Sequence, residues 1–207
     1  MECLGTAQMT LLYFTLIAMK NKKVFYFDVE TTGTDISKHD IVQLAYIIEV
    51  NGEVKLENNL LIKPTRLENI DPQALEVIGK TKKELMKGMG AITAHKRLLL
   101  DFNNYCDKYN KDDKFYIAGY NVGFDMGFLT AFFDSCNDPF LGSWINWKSL
   151  DPLHIIRILD FKGKLDLPNH KLGTVCEHYG IEIDAHDALS DIRATRKLLL
   201  KFLHANK

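Results

Sequence analysis

The sequence has no excess of either charge: 26 Lys and Arg stand against 27 Asp and Glu, a formal net charge of -1. A basic field over the whole protein for gripping nucleic acid is therefore excluded, and any such binding has to be local. Cysteine is sparse. Cys3, Cys106, Cys136 and Cys176 show no CxxC or metal-finger spacing, which reads as reduced thiols in a cytoplasmic protein. The seven histidines include no HExxH pair, so the helical zinc-hydrolase signature is missing. Long apolar runs are missing too. The stretch MTLLYFTLIAM, Met9 to Met19, is 11 residues long, too short to cross a bilayer. Only Glu2 is charged ahead of it, where a signal peptide needs a positive residue. No repeat, low-complexity tract or linker divides the chain.

What remains is the composition of an ordinary globule, with 46% hydrophobic and 26% charged residues over 207 positions, enough for one well-packed domain. Residues 1–22 read as an N-terminal extension, with Met19 a possible natural start, and 23–207 as the domain. Val24 to Val29 is a short apolar run suited to a strand covered on both faces. Ile41 to Val50 and Val54 to Ile62 are β-rich, and Asn51-Gly52 between them is a hairpin turn. Asp71-Pro72 opens a short helix to about Ile78, and Thr81 with Glu84 forms a capping box. The pattern predicts a helix from about Thr93 to Tyr109, a strand over Phe115 to Ala118, and a helix from Val122 to about Phe133 capped by Asn121. A strand over Trp144 to Leu150, a helix from Asp151-Pro152 to about Leu159, another over His170 to Tyr179 and a last from Asp187 to Leu203 complete it. This is an α/β domain: a mixed sheet flanked by helices.

Three short stretches carry the chemistry. In FDVETTG, Asp28 and Glu30 are two apart at the end of the first strand, so they project from the same face. In NVGFD, Asp125 shares its helix face with Phe128, Leu129 and Phe132, the side turned to the sheet. In HDALSDIRAT, His186 precedes the last helix and Asp191 lies near its start. Taken singly, each has an ordinary explanation: solvated strand-end acids, an acid in a helix's first turn, a capping histidine. Buried carboxylates are costly unless they are paired or bind a cation, and acids on three separate elements ask for a common reason.

Together and in this order the motifs resemble those of the DnaQ-like DEDD exonuclease superfamily. His186, five residues before Asp191, resembles the DEDDh branch, the group of the proofreading epsilon subunit of bacterial DNA polymerase III. DIVQLAYI and PQALEVIGKT add to the likeness, which extends from about Lys23 to Leu203. The resemblance implies a ribonuclease H-like fold with a five-stranded mixed sheet, and 3′→5′ exonuclease activity that releases nucleoside 5′-monophosphates. It implies that Asp28, Glu30, Asp125 and Asp191 bind two divalent ions, Mg²⁺ with Mn²⁺ able to substitute, and that His186 is the general base. Thr31, Thr32, Gly33, Asn121 and Phe124 would hold the terminal nucleotide.

The donor chemistry agrees, since an all-oxygen ligand set selects hard ions over zinc. The expected partner is a single-stranded or frayed 3′ end of DNA, in proofreading or repair, with a polymerase as a possible protein partner and no membrane. Three groups could provide local phosphate contacts: Lys80, Lys82, Lys83 and Lys87; Lys162 and Lys164; and Arg193, Arg196, Lys197 and Lys201. An exoribonuclease or oligoribonuclease, and a binding domain without turnover, are the alternatives.

Overall fold

A computed structural model describes residues 22–183 and 187–204. Its centre is a five-stranded sheet in the order β3-β2-β1-β4-β5, formed by β1 (Lys23–Thr31), β2 (Ile41–Val50), β3 (Glu53–Leu61), β4 (Phe115–Ala118) and β5 (Ile145–Leu150). The helices are α1 (Pro72–Ile78), α2 (Lys82–Leu85), α3 (Ala91–Asn103), α4 (Gly123–Ser135), α5 (Pro152–Phe161), α6 (Leu172–His178) and α7 (Ala188–His204). β1 pairs antiparallel with β2 and parallel with β4. It is thus a central strand, and its apolar run from Val24 to Phe27 follows from being covered on both sides.

Period-two alternation along β1 assigns its side chains to two cores. Phe25, Phe27 and Val29 join Leu98 and Phe102 of α3 and Phe128, Leu129 and Phe132 of α4 on one face. Val24 and Tyr26 meet Ala188, Ile192 and Leu199 of α7 on the other. Asp28 and Glu30 continue this second series, so the strand aims both acids toward the face that α7 covers. The register with β2 shifts between Glu30 and Thr31, an irregularity of the kind that re-aims side chains at a strand end.

Local signals account for the starts of α1 and α2. The side chain of Asp71 accepts the N–H of Gln73 at the start of α1, with Pro72 in the first turn, and Thr81 and Glu84 form the reciprocal capping box. Two expectations need correction. The helix predicted over 93–109 runs from Ala91 to Asn103, with Gly90 before it. Beyond it the Asp- and Asn-rich segment bonds to itself: Tyr109 N–H donates to Asp107 Oδ1 and Asp112 N–H to Asn110 Oδ1, both at 3.0 Å. Such side chains compete with helical bonding and turn the chain toward β4. Asn121 does not cap α4 through its side chain; Val122 takes the cap position without a side-chain bond, and Asn121 adopts a left-handed backbone with φ +60°. Among the described residues no helix is long and apolar enough to cross a membrane.

Candidate active site

The C-terminal end of β1 gathers the acids. Asp125, in the first turn of α4, is 5% exposed, and its Oδ1 accepts the N–H of Val29 at 3.0 Å. That bond explains how a carboxylate sits on the sheet-facing side of a helix: it satisfies a strand amide between the two β1 acids. Asp28 keeps part of its surface open to solvent yet is ringed by protein. Burial, followed by the charges of Asp125, Glu30 and Asp191, pushes its pKa well above the usual carboxylate range. Burial also raises Asp125 to about 7, against the lowering effect of its backbone hydrogen bonds, with Glu30 and Asp151 adding to the rise. Asp191 comes from the start of α7, where Asp187 accepts the N–H of Ser190 at 3.0 Å.

Acids from β1, α4 and α7 therefore act on one another electrostatically. A divalent ion, which favours ionised carboxylates, fits this like-charged oxygen set. Among the described residues, no group of three or more His, Cys, Asp or Glu side chains stands in an arrangement that already holds a metal ion. His186, expected as the base, lies outside the described residues.

Beside the acids is a cavity of about 320 Å³ whose walls include Glu30, Thr31, Gly33, Val77 and Phe124. Phe124 is 36% exposed, and its ring is backed by Phe128 at 4.9 Å between centroids. A Cβ at Gly33 would fall 2.5 Å from the His39 ring, so that ring would have to move to admit a side chain there. Thr31 is buried, and its hydroxyl donates to the Gly33 carbonyl at 2.7 Å. Thr32 and Asn121 are not among the cavity walls. Thr32 is fully buried, its Oγ1 accepts the Asp40 N–H, and its carbonyl accepts the Asp71 N–H, each at 2.9 Å. Its contribution is to join the turn after β1 to the start of α1.

Sequence reasoning did not single out Asp71, Gln73, Ala74 or Val77, which complete the cavity from α1 and its cap. The available signal was the Asp-Pro helix start. Two of the terminal-helix cations are already engaged: Arg196 Nε donates to Glu49 Oε2 at 2.6 Å and Arg193 Nε to Glu57 Oε2 at 3.0 Å. Tyr120 donates its hydroxyl to the His170 carbonyl at 2.6 Å, and Tyr116 borders a groove with Val24 and Leu199.

Comparison with known proteins identifies the family and the fold. Residues 25–199 match the exonuclease family RNase_T. The PolC-type DNA polymerase III of Halalkalibacterium halodurans is 29% identical over 188 residues, covering 90% of this chain and 12% of the polymerase. The PolC-type enzyme of Bacillus subtilis is 28% identical over 186 residues, 86% of this chain and 11% of its own length. The chain thus spans about an eighth of these relatives. Among solved structures, E. coli exonuclease I in complex with a dT13 oligonucleotide superposes with a TM-score of 0.72 at 24% identity, over 89% of this chain and 42% of that one. The fold is ribonuclease H-like, and the chain belongs to the exonuclease family, among its DnaQ-like 3′→5′ members.

Proposed function

We propose that this domain removes nucleotides from the 3′ end of single-stranded or frayed DNA, in proofreading or repair, with Asp28, Glu30, Asp125 and Asp191 holding two Mg²⁺ or Mn²⁺ ions. The observation that carries the reading is the mutual influence of these acids at the end of β1, immediately beside a nucleotide-scale cavity. Bound there, divalent ions supply charge neutralisation on the phosphoryl oxygens and activate water for attack. The chain's own residues bind and orient. The exposed ring of Phe124, stiffened by Phe128, offers a face to the terminal base, and Gly33 and Thr31 let the backbone approach the sugar. An imidazole nitrogen of His186 takes the proton of the attacking water, a role suited to a group with a reference pKa of about 6.5.

The cavity lies at the small end of ligand pockets, which run from about 300 to 1,000 Å³, and it suits one unpaired nucleotide better than a base pair. The similarity to PolC-type polymerases supports proofreading as the setting and a polymerase as the partner. Cys106, Cys136 and Cys176, all free thiols, suit a reducing cytoplasm.

The test is degradation of 5′-labelled single-stranded DNA, of duplex DNA with a mismatched 3′ end, and of RNA, each with Mg²⁺, Mn²⁺ or EDTA. Shortening from the 3′ end, strongest on DNA and abolished by EDTA, is the expected result. Full activity in EDTA, or degradation from the 5′ end, overturns the proposal, and preference for RNA replaces it with an exoribonuclease.

A further inference from the structure

Asp151 follows β5 and caps α5, yet its carboxylate does more than a cap requires. Oδ1 accepts the Leu153 N–H at 2.9 Å, the ordinary capping bond. The same oxygen accepts the Asn121 N–H, and Oδ2 accepts the Val122 N–H, each at 3.2 Å. The group is 7% exposed, and among the described residues the exposed His154 stands in an ion-pair geometry to it, with Nδ1 3.7 Å from Oδ2.

Asn121 is left-handed at φ +60° and Val122 right-handed at φ -58°. Successive amides in that alternation converge into an anion-binding concavity, and here the anion is Asp151. The left-handed backbone of Asn121, which sequence pattern alone would assign to a side-chain cap, is thereby explained. The loop is also pressed onto β1: a Cβ at Gly119 would lie 2.9 Å from the Phe27 carbonyl oxygen and 2.8 Å from Val122 Cγ2. Three residues after Val122 comes Asp125, bonded to Val29 N–H.

We infer that Asp151 is a positioning residue: by clamping the Asn121 and Val122 amides it sets where α4 begins, and so where the Asp125 carboxylate stands. This rests on the reading of Asp125 as a metal ligand. Groups that orient a ligand from behind typically govern metal affinity or activity by about 10- to 100-fold.

The experiment compares Mn²⁺ binding by calorimetry in the wild type, Asp151→Ser, Asp151→Asn and Asp125→Asn, together with amide exchange at Asn121 and Val122. Serine keeps a short cap for α5 but cannot bridge to the loop. Asparagine keeps the length, loses the charge, and turns a donor toward one loop amide. The expected result is a folded Asp151→Ser protein with Mn²⁺ affinity reduced about tenfold or more, faster exchange at both amides, and a smaller loss in Asp151→Asn. Affinity and exchange like the wild type in a folded Asp151→Ser protein overturn the inference. Should that variant fail to fold, unchanged affinity in Asp151→Asn overturns it instead, and reduced affinity supports it. Asp125→Asn separates the two readings: if it binds Mn²⁺ as the wild type does, the metal-site proposal itself fails, whatever Asp151 does.

Discussion

The two ends of the ladder between β1 and β2 treat acids in opposite ways, although α7 covers both. At the end where Val24 pairs with Glu49, the helix delivers a cation: Arg196 reaches Glu49, which is 1% exposed, and donates to it at 2.6 Å. At the other end, where Thr31 pairs with Ile41, the same helix delivers a further acid, Asp191, to a place already holding Asp28, and burial together with the charges of Asp125, Glu30 and Asp191 raises the Asp28 pKa. Asp101 of α3 repeats the first pattern, accepting the Tyr46 hydroxyl at 2.6 Å and Arg97 Nε at 3.2 Å. Where a buried acid serves the fold, the chain brings its own donors. Crowding acids of like sign costs stability in the absence of a cation, so the cluster at the end of β1 serves something other than folding.

Exchanging the losses at the two ends gives the largest expected effects. Asp28→Asn should reduce turnover by about 10³-fold or more, since removing a ligand forfeits several kcal/mol of transition-state stabilisation. Its melting temperature should stay level or rise, because one of the repelling charges has gone. Arg196→Ala should do the reverse. It leaves Glu49 buried without its cation, at a cost of about 3 kcal/mol or more in unfolding free energy, while the folded fraction turns over normally. Single-turnover hydrolysis and urea denaturation of both variants measure the four quantities. A destabilised but active Asp28→Asn protein would erase the distinction between the two ends.

A milder way to sharpen the comparison is to titrate the crowded end. Asp125 has a pKa of about 7 in the fold against 3.8 for the free group. A raised acid binds more protons in the folded than in the unfolded state between those values, so its contribution to stability is fully present below 3.8 and is lost as pH rises through about 7. The metal-free protein should therefore lose stability from pH 4 to pH 8, by at most about 4 kcal/mol for this group, at about 1.4 kcal/mol per pKa unit. Asp125→Asn should flatten the dependence while keeping an acceptor for the Val29 N–H. Saturating Mg²⁺ should flatten it as well. Thermal melts across that range, with and without metal, provide the check; a wild-type slope retained in Asp125→Asn would show that the proton uptake belongs elsewhere.

How far all this was legible in the sequence depended on how local the cause was. Asp28 and Glu30 were placed together by strand periodicity, and Asp125 stood out as an acid on an apolar helix face; both rest on spacings of a few residues. Helix starts at Pro72 and Lys82 were legible for the same reason, since a cap lies within three residues of what it satisfies. The end of the helix after Asn103 was harder, because apolar spacing continued through Tyr105 while the turn-forming bonds lay beyond it. Asn121 looked like a cap because its partner, Asp151, is 30 residues away. Arg193 and Arg196 of the last helix looked available because Glu57 and Glu49 are 136 and 147 residues distant. Pairings of that kind are properties of the sheet order, which no local pattern encodes.

The smallest expected effect lies with one of those cations and asks whether the paired side of the molecule takes any part in substrate handling. Arg193 is half exposed and pairs with Glu57 on β3 through Nε at 3.0 Å. An exposed ion pair contributes about 0–1 kcal/mol, since solvent screens it and two long side chains must be held still. Arg193→Ala should therefore lower unfolding free energy by less than about 1 kcal/mol. If the guanidinium is occupied with Glu57, KM for an oligonucleotide should be unchanged and should keep its wild-type dependence on salt. A phosphate contact would behave otherwise: its loss weakens binding at low salt and reduces the slope of log affinity against log salt by about one unit. Measuring KM at several salt concentrations for wild type and Arg193→Ala separates the two cases. A shallower slope in the variant would place the substrate along α7 and show that this ion pair yields to nucleic acid.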